Sequence, residues 1–442
     1  MKFYKVFAFV SFFVIASTLN SYGQSMKISK GTANQLYQYK DYYGALEQYL
    51  ALLKSESDNV EYNFRTAVCY LQTNIDKGEA VPYLLNVVNI NYLAKKDPEP
   101  IVYYLLGRAY HHRHEFDEAI EMYEKFLEFE SINESDRLLA QQKLQFSYNA
   151  KELVKFPIDI TFMNVGPEVN SPYPDYFPFV PADESYMVFN SKRPDSSAKI
   201  PDGSWASNIY LSEENESKFQ KARLLESVNT VEDNEDIIGL SADGKKALFF
   251  IDNEYDYGDL FIADFNSGEI DNLHRFDKEL LSAQEEIAAS VTNDGNTIFI
   301  ASNREGGFGG VDIYVSKKLP DGTWGKPMNL GSEVNTPYDE DFPNISPDGK
   351  TLYFSSEGHA SMGGLDIFKA KYNEKTKKWV GVKNMGYPLN NTEDNMNFRV
   401  SENGKYGYMS AVRPEGYGDL DIYRINFNEV EPRYTIVTGK LY

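Results

Sequence analysis

Two spacings of apolar residues divide the chain. Between about Gly31 and Lys155 they recur at intervals of three and four, the period of an amphipathic helix. After Phe156 they alternate at intervals of two in short runs broken by Gly, Pro, Asn and Asp, the texture of strands joined by tight turns. The first spacing predicts a helical domain over 24–155, ending in a helix over 135–154. The second predicts an all-β domain over 156–428. A multidomain chain, α first and then all-β, is the expected fold class, and 442 residues exceed what one core holds.

Within the helical part, 101–127 places Tyr103, Leu106, Gly107, Tyr110, Ala119, Tyr123 and Phe126 where two antiparallel helices meet. Gly107 and Ala119 allow the backbones to approach, and the tyrosines fill the gaps. An earlier copy has Ala45 and Tyr49 after the turn at Asp41, Tyr42, Tyr43 and Gly44, and another has Ala67, Tyr70 and Ala80. The pattern resembles the tetratricopeptide unit of about 34 residues. That resemblance implies about three repeats and a cap, stacked as an α-solenoid whose concave face takes a peptide or serves as a spacer.

The strand-rich part repeats five times. Its clearest copy turns at Asp348 and Gly349 and continues through Gly363, Gly364, Leu365, Asp366, Ile367 and Phe368. The preceding copy turns at Asp294 and Gly295 and continues through Gly309, Gly310, Val311, Asp312, Ile313 and Tyr314. Others turn at Asp243 and Gly244, at Asn403 and Gly404, and, in degenerate form, at Asp183 and Glu184. Asp-Gly and Asn-Gly suit a hairpin because glycine tolerates positive φ. One copy per blade predicts a five-bladed β-propeller. An outer-strand element starts at Asn329 and at Asn384, and again at Asn164 before the first copy, but does not follow the fifth. The segment 158–165 is therefore expected to complete the last blade and close the ring.

These copies resemble the WD-like, TolB-type propeller repeat. Combined with a tetratricopeptide front, the chain is similar to OmpA-family envelope proteins of Bacteroidetes, the group that includes PorE of the type IX secretion apparatus. The resemblance implies a periplasmic, outer-membrane-associated scaffold whose partner is an outer-membrane protein of the PorP/SprF type. It also implies a link to peptidoglycan through a C-terminal domain whose matching segment this sequence lacks. Tyr434, Thr435, Ile436 and Val437 look like the first strand of a carboxypeptidase-regulatory-like domain, so 429–442 is expected to open such a domain and the chain to be a fragment.

Charge narrows the function. A net charge of −22 repels phosphate backbones and excludes nucleic acid as a partner. Lys2 and Lys5, an apolar run over 6–19 and the small residues Ser21 and Gly23 read as a signal peptide over 1–23, because the run is shorter than the roughly 20 residues that span a bilayer. Cys69 is the single cysteine, so no intrachain disulfide forms.

Candidate chemistry is sparse. His111, His112 and His114 read as a turn cluster, since metal sites need three or four supported ligands. His274 and His359 have no nucleophile-elbow serine beside them. Gly306, Gly307, Phe308, Gly309 and Gly310 lead into a strand, whereas a phosphate loop leads into a helix. Asp252, Glu254, Asp256 and Asp259 lack the glycine of a calcium loop. One set stands out. Asp175, Glu235, Glu286, Glu340 and Asn395 each precede a hairpin turn by nine positions and begin the innermost strands, so closure brings them round one mouth of the channel. They read either as hydrogen-bonding groups between blades or as a site for a cation or polar ligand. No cofactor and no catalytic residue is expected. The competing reading is a five-bladed glycoside hydrolase or glycan-binding protein, with inner-strand carboxylates meeting a sugar.

Overall fold

A computed structural model describes residues 28–194, 205–230, 234–251, 259–276, 280–281, 286–401, 404–413 and 415–428, with the backbone alone at Asp259, Glu286 and Ile287. The expected signal over 1–23, the acids Asp252, Glu254 and Asp256, the turn residue Asn403 and the strand expected within 429–442 lie outside the described residues. The chain divides at Ser147 into a helical unit, with which Pro194, Trp205 and Ala206 are grouped, and a unit built of strands.

Seven α-helices are present among the described residues: α1 Lys30–Gln38, α2 Tyr42–Leu53, α3 Val60–Leu71, α4 Ala80–Leu93, α5 Pro100–His112, α6 Phe116–Leu127 and α7 Glu134–Leu153. Their starts follow local chemistry. The side chains of Ser29, Asp41 and Asn59 accept the N–H groups of Thr32, Gly44 and Tyr62 at 3.1, 2.9 and 3.1 Å, and Pro100 opens α5, where its missing N–H costs nothing. Helices α1 and α2, α3 and α4, and α5 and α6 pack as successive pairs. Small residues set the approach: Ala45, Ala67, Ala80, Ala109 and Ala119 are fully buried. At Gly107 a Cβ would stand 2.7 Å from the Tyr123 ring, so only glycine fits. Tyr49 and Tyr123 fill the space that these small residues leave.

The strands form a five-bladed propeller of five antiparallel sheets. Blade one comprises Asp175–Phe179, Tyr186–Ser191 and Asn208–Asn215, with Lys218–Phe219 and Arg223–Leu224 both on the third strand. Blade two comprises Glu235–Leu240, Lys246–Ile251, Asp259–Asn266 and Glu269–Arg275. Blade three comprises Glu286–Val291, Thr297–Ser302, Asp312–Lys317 and Met328–Asn329, and blade four Glu340–Ile345, Thr351–Ser356, Asp366–Asn373 and Lys378–Asn384. Blade five comprises Arg399–Val400, Tyr406–Ala411 and Asp421–Phe427, and its outer strand is Ile160–Asn164 from before blade one. That strand pairs antiparallel with Asp421–Phe427, from Ile160 opposite Phe427 to Asn164 opposite Tyr423. The ring closes as the spacing predicts.

Among the described residues a two-residue clamp links successive blades at four of the five seams. Asn335 accepts the N–H of Ile313 and donates to its C=O, both at 2.9 Å, which extends blade three by one paired residue. Its neighbour Thr336 donates its N–H and Oγ1 to Glu340 of blade four, at 2.6 and 2.7 Å. Asn229 and Thr230 join blades one and two in the same way, through Ile209 and Glu235. Asn390 and Asn391 join blades four and five, through Ile367 and Asn395. Asn170 and Ser171 join blade five to blade one, through Ile422 and Asp175.

The hairpin turns keep positive φ in every described copy: +73° at Gly244, +67° at Gly295 and Gly349, and +68° at Gly404. Glu184 holds the same place in blade one at φ +60°, against the preference of a residue with a Cβ. Its carboxylate accepts Tyr408 Oη at 2.5 Å and Arg424 at 2.8 Å, both on blade five. The strained turn is thus a second fastening of the closing seam.

Asn170 is 3 % exposed, so Asn170→Ala leaves the N–H of Ile422 without a partner and its C=O with only the 3.3 Å bond from Val165, and is expected to cost about 1–3 kcal/mol of propeller stability. Urea unfolding measures this, and a loss under about 1 kcal/mol would contradict the clamp.

Candidate functional site

Asp175, Glu235, Glu286 and Glu340 are the first residues of their inner strands, and Asn395 lies four residues before the short strand Arg399–Val400. Asp175, Glu235 and Glu340 are fully buried and Asn395 is nearly so. Each described side chain receives hydrogen bonds from the turn that leads in from the preceding blade. Glu340 also accepts Ser356 Oγ at 2.7 Å, and Asp175 accepts the Arg193 guanidinium at 2.5 Å. Their backbone N–H groups donate backwards across the seam, Asp175 to Leu420, Glu235 to Ser207, Glu340 to Val311 and Asn395 to Leu365. The structure therefore places these four in the seams between blades. The Glu286 side chain lies outside the described atoms.

The seams differ in charge. Ser191 in blade one is followed two residues later by Arg193, which reaches Asp175 and the C=O of Val169. Blade four has Gly358 at that place, and His359 contacts the C=O of Val334 instead, at 2.9 Å. Among the described residues no basic side chain pairs with Glu340. Burial, offset by its three hydrogen bonds and reinforced by Asp312 nearby, pushes the Glu340 carboxyl up to about 7.

The next position along each inner strand carries other groups. Tyr176 Oη meets Ser207 Oγ at 2.7 Å and donates to Asp236 at 3.2 Å, while burial raises the Asp236 carboxyl. Asp341, 7 % exposed, accepts the N–H of Phe342, and burial pushes it up to about 7. Phe177 and Phe342, at φ +51° and +49°, lie in bulges of their strands, and their ring centroids are 4.8 Å apart. Blades one and four are not neighbours in a ring of five, so this contact crosses the axis. Arg399 crosses it again towards the hairpin-turn end, where its Nη1 donates to Leu240 of blade two at 2.7 Å.

Sequence reasoning missed these axial residues. Asp236 and Asp341 were recoverable, since each directly follows a singled-out acid. Arg399 was not. It pairs with Tyr408 as Phe179, Gly239, Ser290 and Asn344 pair with the equivalent residues of other blades, and five different side chains at one register leave no repeat to notice.

The remaining candidates have local partners. His111 Nδ1 meets Ser147 Oγ at 2.9 Å between α5 and α7, and His114 closes α5 at φ +60°. In the glycine-rich loop the N–H groups of Phe308 and Gly309 donate to Asp312, and a Cβ on Gly309 would stand 1.9 Å from the Tyr338 carbonyl oxygen. His274 Nδ1 meets the C=O of Asn272 at 2.6 Å. Cys69 is buried, which pushes its thiol up to about 12. Among the described residues no three His, Cys, Asp or Glu side chains converge as a metal site, and no helix is long and apolar enough to cross a membrane.

No protein-family profile and no curated protein matches the chain. Among solved structures it is similar to TolB from Acinetobacter baumannii, at 15 % identity and a TM-score of 0.38 over 65 % of this chain and 70 % of that one. It is similar to a putative TolB from Agrobacterium tumefaciens at 18 % identity and a TM-score of 0.34, over 61 % and 98 % of the two chains. A structure from the GH130 family of mannoside phosphorylases, described as containing glycoside hydrolases, aligns at 9 % identity and a TM-score of 0.34 over 57 % and 84 %.

A Glu340 carboxyl raised from 4.5 to about 7 in the fold binds a proton that the unfolded chain has already released. Its contribution to stability is greatest below pH 4.5 and falls as pH rises to about 7. The stability of the wild type relative to Glu340→Gln is therefore expected to be lower at about pH 8 than at about pH 5. Urea titrations of both proteins test this, and a difference independent of pH would refute it.

Proposed function

We propose that this chain is a non-enzymatic scaffold of a bacterial envelope, exported to the periplasm and associated with the outer membrane, that binds envelope proteins. The pairs α1–α2, α3–α4 and α5–α6 are read as three tetratricopeptide repeats and α7 as their cap, in the manner of the OmpA-family envelope proteins that the sequence resembles. One observation carries the reading. The repeated polar positions Asp175, Glu235, Glu340 and Asn395 spend their hydrogen bonds on joining blades, which leaves the propeller's most regular chemistry to structure. The helical unit meanwhile exposes Tyr39, Tyr92 and Leu93, side chains of the kind that protein interfaces cover. The partner proposed from the resemblance is an outer-membrane protein of the PorP/SprF type, within type IX secretion or envelope organisation.

A second reading rests on the axial carboxyls. Asp341 near pH 7 and Asp236, with Tyr176, Phe177 and Phe342 on the same inner-strand segments, combine raised acids and aromatic rings as glycan-acting sites do. The contact between Phe177 and Phe342 occupies the axis where a sugar would enter, which favours the scaffold.

Affinity capture from outer-membrane extracts with the full chain is expected to retain a PorP/SprF-type protein. Retention of no outer-membrane protein, together with glycan hydrolysis that Asp341→Asn abolishes, would overturn the scaffold in favour of the enzyme.

A further inference from the structure

The hairpin-turn end of the propeller axis holds a buried cation for which no counter-charge stands among the described residues. Arg399 is 4 % exposed. One guanidinium N–H donates to the C=O of Leu240, and the group lies 4.3 Å from the centroid of the Phe179 ring. Among the described residues its Nε–H has no acceptor and no carboxylate pairs with it. Burial lowers its pKa to about 9, so it remains charged at neutral pH. A buried charge with an unused donor is costly unless something supplies both an acceptor and the opposite charge.

Arg399 borders a space of about 10 Å³, lined also by Val180, Ala182, Ala242, Asn344 and Tyr353. Among the described residues no other charged side chain lines it. Among the described residues the hairpin aspartates are turned into their own loops, Asp183 accepting from Ser185, Asp243 from Ser241, Asp294 from Thr292 and Asp348 from Ser346, and Glu184 is engaged by Tyr408 and Arg424. Such a volume takes one particle the size of a water molecule. Sugars and nucleotides need pockets of some hundreds of Å³. We propose that this space binds a single halide ion, with Arg399 as its charged ligand. A water molecule would satisfy the donor and leave the charge uncompensated, whereas a halide does both.

Two measurements on the full chain test this. Crystals soaked in sodium bromide are expected to show an anomalous peak in contact with the Arg399 guanidinium. Sodium chloride is expected to raise the thermal midpoint of the wild type by roughly 2–4 °C over sodium gluconate at equal ionic strength. Arg399→Met should remove that difference. A water molecule in the space without anomalous signal would overturn the proposal, as would an equal response to chloride in Arg399→Met. If the methionine variant fails to fold, the bromide peak decides alone.

Discussion

A buried asparagine that bonds to both the N–H and the C=O of one strand residue, beside a Ser, Thr or Asn that bonds to the next blade, is the interaction on which the propeller depends. A blade has two edges of unpaired backbone, and a ring of blades is stable only if the connections satisfy those groups while fixing the angle between sheets. The clamp does both with adjacent side chains. Asn170, Asn335 and Asn390 each donate at 2.8 Å to a second asparagine six residues earlier, Asn164, Asn329 and Asn384, and that partner in turn bonds the aspartate opening the third strand. In the closing blade the same network joins Asn164 and Asn170 to Asp421 and Ile422, so the ends of the propeller are tied by the bonds used within its blades.

This accounts for residue choice in the seam. Glu and Asp at the start of an inner strand, and Asn395 four residues before one, all serve because each presents an oxygen to the N–H of the linking turn. Asn395 makes that bond at 2.8 Å without a charge, so the position requires an acceptor and not an anion. The acids carry a desolvation cost that each blade offsets differently, with Arg193 beside Asp175 and with hydroxyls at Glu340.

Much of this was legible in the sequence. The helices could be read from their period, and the blades from turn glycines whose φ is near +70°. Closure could be read from an outer-strand element standing before the first copy and missing after the last. The asparagines were visible as part of that element, but not as clamps, because their partners are backbone groups that carry no sequence signature. Glu184 could be placed by spacing alone. That it tolerates a left-handed backbone depends on Tyr408 and Arg424, more than two hundred residues away.

The axis was illegible for a related reason. Repetition reveals what every blade must do, and every blade must pair its strands and join its neighbours. The positions at the centre face one another across the ring instead, so Phe177 is matched to Phe342 and Arg399 to Leu240, in blades that share no seam. The arginine at 399 reaches the Leu240 C=O of blade two, while at Gly239, its register equivalent there, a Cβ would stand 2.4 Å from the Ala289 carbonyl oxygen of blade three, so one register serves different contacts in different blades. Individual character in a repeat protein therefore collects where the repeats meet, and the departures from the pattern, more than the pattern itself, mark the residues to which a distinct role can be assigned.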